Sequence, residues 1–187
     1  YRYLRKLLVL PVAVLIVTLF AFKYKKASEA DTIKAKKRIT IAIDASHGGI
    51  DPGGKSPDGR YTEAQISLAI AKKVQALASE YNIDVVMTRE EDVLPGAATT
   101  TEDANRRRVE IARAADADAL IAIHVNSAGG ANAAFQQKYS GIEAYISELN
   151  SSPGAQSLAT SILQQLSPLH KTSMELRYRR QNGVFVL

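Results

Sequence analysis

The sequence has no cysteine and only three histidines among its 187 residues. Without sulfur there is no disulfide scaffold and no thiolate metal site. Any metal must be held by His, Asp or Glu. Acidic residues are missing from the first 26 positions, where Arg2, Arg5, Lys6, Lys23, Lys25 and Lys26 carry +6. The whole chain has a formal charge of +5, so residues 27–187 balance at −1, with 18 basic and 19 acidic side chains. The positive excess therefore belongs to one short segment, which argues against a nucleic-acid-binding body. No internal repeat is visible. The apolar content of 46% excludes a disordered chain, and the length suits one domain plus an appendage.

Leu7 to Phe22 is an uncharged run of sixteen residues between the two basic clusters. As a helix it would span about 24 Å against a hydrocarbon core of about 30 Å, a gap that snorkelling Lys and Arg can close. The segment reads as a membrane anchor over residues 1–26, followed by a polar linker over 27–37. A cleaved signal peptide and a buried helix are the alternatives. Ser28-Glu29-Ala30 is a poor cleavage site, and the equal basic flanks give no orientation.

The body alternates strands and helices. Strands are expected at Arg38–Asp44, Ile83–Thr88, Leu120–Val125 and Ile142–Ile146, with the start of another at Val184–Leu187. Helices are expected at Glu63–Ser79, Thr101–Ala115 and Ala155–Leu166. In the first, Ile66, Ala69, Ile70, Val74, Leu77 and Ala78 form the apolar face. Gly48–Gly59 and Ser127–Ser140 read as loops. This order implies an α/β fold with a mostly parallel sheet and helices on both faces, preceded by a single N-terminal transmembrane helix.

Ligands in such sheets bind at the carboxyl ends of the strands. Asp44-Ala45-Ser46-His47-Gly48-Gly49 follows the first strand, and His124-Val125-Asn126-Ser127 closes the third. Glu63 opens the helix after the Gly-rich loop. Two imidazoles and one carboxylate form the donor set of a hydrolytic zinc site. Each also has a plainer reading: a hydrogen-bonded loop histidine, or a first-turn acid favoured by the helix dipole.

The blocks IAIDASHGGIDPGG, YTEAQISLAIAKKV, DVVMTRE, RRRVEIARAADADALIAIHVNSA and GIEAYIS resemble, in order and spacing, the zinc-dependent N-acetylmuramoyl-L-alanine amidases of the amidase-3 type. The likeness covers residues 38–187. It implies Zn²⁺ held by His47, Glu63 and His124. It also implies hydrolysis of the amide between N-acetylmuramic acid and L-alanine of the peptidoglycan stem peptide, in the cell envelope on the extracytoplasmic (periplasmic) side. Gly48, Gly49, Gly53 and Gly54 would let backbone approach metal and substrate closely, or form a plain turn. Asn126 and Ser127 would bind substrate or orient His124, or act as caps. Asp44 would support the ligands or merely end a strand.

The family has a further catalytic glutamate after a strand that QNGVFVL resembles, so it is expected beyond Leu187. On that reading residues 38–187 lack the domain's C-terminal end, no residue here takes that role, and the chain binds zinc but hydrolyses poorly. A silent wall-peptide-binding module of the same fold is the alternative. Glu143 is not at the catalytic position. Arg106-Arg107-Arg108, where the family has one Arg at about Arg108, reads as a solvated face or a contact to anionic wall polymer. Lys171, Arg177, Arg179 and Arg180 share that ambiguity, and His170 reads as a surface residue. The anchor segment is similar to the last membrane helix of sensor-type membrane metallopeptidases of the beta-lactam response, which would make the chain a piece of a larger fusion.

Overall fold

The structure, a computed structural model, describes residues 38–125, 141–148 and 152–179. The anchor and linker, Asn126, Ser127 and Val184–Leu187 lie outside the described residues. Among the described residues no helix is long and apolar enough to cross a membrane.

Three strands form a parallel sheet in the order β2-β1-β3. They are β1 (Ile39–Ala45), β2 (Ile83–Met87) and β3 (Ala119–Ile123). The register pairs Ile43 with Met87 on one side and Ala45 with Ile123 on the other. Side chains alternate along β1, so Ile41, Ile43 and Ala45 face one side while Ala42 and Asp44 face the other. The first side carries the core, where Ile43, Ala45, Ala71 and Met87 pack with Ile41, Leu68, Val85, Ile121 and Ile123.

Helix α1 (Glu63–Ala78) covers that side. Its buried positions are Glu63, Ala64, Ser67, Ala71 and Ala78. This corrects the expected face: Ile70, Val74 and Leu77 are 40%, 39% and 54% exposed. A helix carrying apolar residues on two faces has an ambiguous period. Here the small residues face the sheet, because they let the helix backbone approach the pleat closely. A capping box starts the helix. The Thr62 hydroxyl accepts from Gln65 N at 3.2 Å, and the Gln65 side chain accepts from Thr62 N at 3.1 Å. A 3-10 turn at Ser79–Tyr81 and left-handed Asn82 (φ 59°) end it.

Helix α2 (Thr101–Ala114) packs on the opposite side of the sheet, through Arg108 to Asp44. Thr100 caps it by accepting from Asp103 N. A second pair of parallel strands, β4 (Tyr145–Ser147) and β5 (Arg177–Arg179), flanks helix α3 (Pro153–Leu166) in sequence. The strand expected at Ile142–Ile146 is thus shorter and shifted, with Ile142 making only an isolated bridge to Thr172. Helix α3 starts two residues earlier than its apolar pattern suggests. Ser152 caps it and Pro153 takes the first-turn position where no N–H is needed. Leu163 is its fully buried anchor.

Candidate metal centre

The parallel register places both β1 and β3 exits at one edge of the sheet, and the two histidines follow directly. Their ring centroids stand 5.4 Å apart at 87°. Glu63 arrives from the first turn of α1. His47, Glu63 and His124 each offer a ligand atom, and these atoms all lie within 4.8 Å of one another. His47 Nε2 is 3.3 Å from Glu63 Oε2, and His124 Nδ1 is 3.0 Å from Glu63 Oε1. Two donors on one tetrahedral ion, each about 2.1 Å from it, stand about 3.4 Å apart. The donor set is that of a divalent metal site, and its three side chains converge more loosely than ligands closed on an ion.

The protonation states fit as well. Burial pushes the Glu63 carboxyl up, since its side chain is 6% exposed. The N–H groups of Gly54 (3.1 Å) and Val125 (2.8 Å), the nearby His47 and the hydrogen bond with His124 outweigh this and hold it below its ordinary value. The group is a carboxylate, as a ligand must be. Asp51 fixes the ring of His47. Its Oδ2 lies 2.9 Å from His47 Nδ1, and its Oδ1 accepts from Gly53 N at 3.2 Å. With a metal bound, a proton on Nδ1 toward Asp51 would leave Nε2 as the ligand atom. The His47 backbone is left-handed (φ 62°), a conformation that costs energy in a non-glycine residue and is held by its surroundings.

The loop glycines divide by what they touch. A Cβ on Gly53 would lie 2.6 Å from His47 Cδ2 and 2.9 Å from Glu63 Cβ, so this is the glycine that permits close approach at the centre. A Cβ on Gly48 would instead meet the Val93 carbonyl and Arg89, and Gly49 donates to Asp92 Oδ1 at 3.0 Å.

Asp44 and Arg108 are a buried ion pair. Arg108 Nε donates to Asp44 Oδ1 and Oδ2 at 2.9 and 3.0 Å, and its Nη2 donates to the His47 carbonyl at 3.0 Å. Thr88 Oγ1 donates to the same carboxylate at 2.6 Å. The solvated-face reading of the arginine run is therefore corrected for Arg108, whose side chain is 11% exposed. It holds for Arg106, at 61%, and Arg107 is partly exposed at 42%. The missed signal was helical phase, because Ala104, Arg108 and Ala112 share the buried face of α2. Sequence reasoning also missed Asp51 and Arg89. Glu143 pairs with Arg177 at 2.6 Å.

Together these features define an α/β domain with a His₂–carboxylate metal-type site at the carboxyl edge of a parallel sheet. The chain matches the family described as N-acetylmuramoyl-L-alanine amidase (Amidase_3) over residues 41–187, and it belongs to that family. It is 29% identical over 140 residues to the germination-specific N-acetylmuramoyl-L-alanine amidase of Bacillus subtilis, covering 70% of this chain and 55% of that one. It is 39% identical over 90 residues to the probable N-acetylmuramoyl-L-alanine amidase AmiB of Haemophilus influenzae, covering 48% and 19%. The chain thus spans about half or less of these relatives. Among solved structures, the amidase AmiC2 of Nostoc punctiforme superposes with a TM-score of 0.59 at 25% identity, covering 79% of this chain and 72% of that one.

Proposed function

We propose that the protein is a zinc-dependent hydrolase of the amide between N-acetylmuramic acid and L-alanine in peptidoglycan. The observation that carries this reading is the convergence of His47, Glu63 and His124 at one point in a chain of the amidase family. These three residues would hold Zn²⁺. When bound, zinc supplies Lewis-acid polarisation of the scissile carbonyl and makes water a nucleophile near neutral pH. The chain's own residues prepare that site. Asp51 orients the His47 ring through its contact with Nδ1. Gly54 and Val125 keep Glu63 ionised through their N–H groups. Gly53 leaves room for both side chains. Asn126 and Ser127 directly follow this edge in sequence and are assigned to substrate or to support of His124.

The basic-flanked apolar run Leu7 to Phe22 supports membrane anchoring, and a wall substrate places the domain in the cell envelope on the extracytoplasmic side. Zinc stoichiometry and muropeptide cleavage test the reading together. Wild-type protein is expected to bind one zinc ion, and His124→Ala is expected to lose tight binding. Retention of stoichiometric zinc by His124→Ala would remove the proposed site. Zinc binding without cleavage by a protein that includes the family's further glutamate would favour the silent wall-peptide-binding module instead.

A further inference from the structure

We propose that Arg89 is a positioning residue for the metal centre, tying the strand exit that carries His47 to the helix turn that carries Glu63. The inference rests on the metal-site reading above. Beyond Ala45 the chain leaves β1 and turns through Ser46 into left-handed His47. Three successive carbonyls on this stretch are taken by buried guanidinium groups. Arg89 Nε donates to Ala45 O at 2.7 Å, and its Nη2 donates to Ser46 O at 3.0 Å. Arg108 takes His47 O.

The same Nη2 of Arg89 also donates to Ala64 O at 2.7 Å, on the residue directly after Glu63. Its Nη1 donates to Glu91 O at 2.8 Å, so all three nitrogens are engaged. One planar side chain, 4% exposed, thus spans two elements that bring different ligands to the centre. The Ser67 hydroxyl reinforces the joint by donating to Ser46 O at 2.9 Å. A lysine could keep the charge. It could not reproduce a rigid fork with five fixed N–H directions. Loss of the fork frees the strand exit and the helix turn to shift relative to each other, and the donors on both move with them.

The test uses the full 187-residue chain. Arg89→Lys and Leu163→Ala are compared with wild type by urea unfolding, by zinc affinity against a competing chelator and by the visible spectrum of the Co²⁺-loaded protein. Leu163 is a fully buried anchor on α3 and serves as a control for general destabilisation. Arg89→Lys is expected to weaken zinc binding by about 10–100-fold, as loss of groups supporting metal ligands does, and to alter the Co²⁺ bands. Leu163→Ala is expected to lose stability while keeping both readouts. Folded Arg89→Lys with wild-type zinc affinity and Co²⁺ spectrum would overturn the proposal. If that variant does not fold, Arg89→Gln is judged by the same two outcomes. Wild-type protein that binds no zinc would reject the metal reading itself, and the proposal with it.

Discussion

Gly53→Ala is the sharpest perturbation of this site, because it adds one carbon where the side chains of His47 and Glu63 meet. Gly53 sits at φ +63°, and its new Cβ would lie 2.6 and 2.8 Å from ring atoms of His47 and 2.9 Å from Glu63 Cβ. A left-handed conformation costs a non-glycine residue about 1–2 kcal/mol. Overpacking a tight site costs about 1–3 kcal/mol more. The expected loss is about 2–5 kcal/mol, a large share of the roughly 5–15 kcal/mol typical of a domain. Gly59 separates the two terms. It has φ +69°, and a Cβ there meets nothing within 4 Å. Gly59→Ala should therefore show the backbone cost alone. Urea unfolding of both metal-free variants gives the difference, and zinc titration reads whether the ligands have moved. Gly53→Ala should be the less stable variant and should bind zinc more weakly than Gly59→Ala. Equal stability and equal zinc affinity in the two would refute the steric argument.

Arg108→Met leaves Asp44 charged and buried with only Thr88 as a side-chain donor. It should cost about 3–5 kcal/mol in urea unfolding, the usual cost of removing one partner of a buried pair, and a loss under 1 kcal/mol would contradict that geometry. Thr62→Ala removes the hydroxyl that caps α1 and should cost about 1 kcal/mol by the same assay. Glu63 carries a pH signature in the metal-free protein. Its folded-state value is lowered, so its contribution is present above the unfolded-state value and is lost as pH falls through the folded one. Wild type should lose urea resistance on acidification faster than Glu63→Gln. Identical slopes would show that Glu63 is not held as a carboxylate.

Much of this arrangement was legible in the sequence because two simple signals agreed. Alternation and short apolar runs marked β1, β2 and β3, and the rule that α/β sites form beyond strand ends brought His47 and His124 together before any geometry was known. Glu63 followed from its place at the start of α1. What escaped was polar burial. Arg89 and Arg108 look like ordinary charged residues because composition weighs the side chain and not the carbonyls around it. Only the fold shows Arg89 facing Ala45 O, Ser46 O and Ala64 O. On α1, Ile70, Val74 and Leu77 outweigh Ala64, Ser67 and Ala71 on any hydropathy scale, whereas close packing selects the smaller set. Strand β5 was missed because Arg177-Tyr178-Arg179 pairs only with β4 among the described strands, and both Arg177 and Tyr178 stay exposed. Such a strand needs no apolar alternation.

The pairing of Ala45 with Ile123 has a consequence for how such a site can vary. Neighbouring strands in a sheet stand about 4.8 Å apart, and the two imidazole centroids stand 5.4 Å apart. Main-chain pairing thus holds the two strand exits at a fixed spacing, and the turn through Ser46 then sets His47 against His124. Loop length is then a free variable. The turn between Lys55 and Tyr61, closed by Ser56 N to Tyr61 O, is where residues can be added without altering the distance between the histidines. A fixed donor set with adjustable surroundings lets one scaffold keep its site while the shape around it is rewritten.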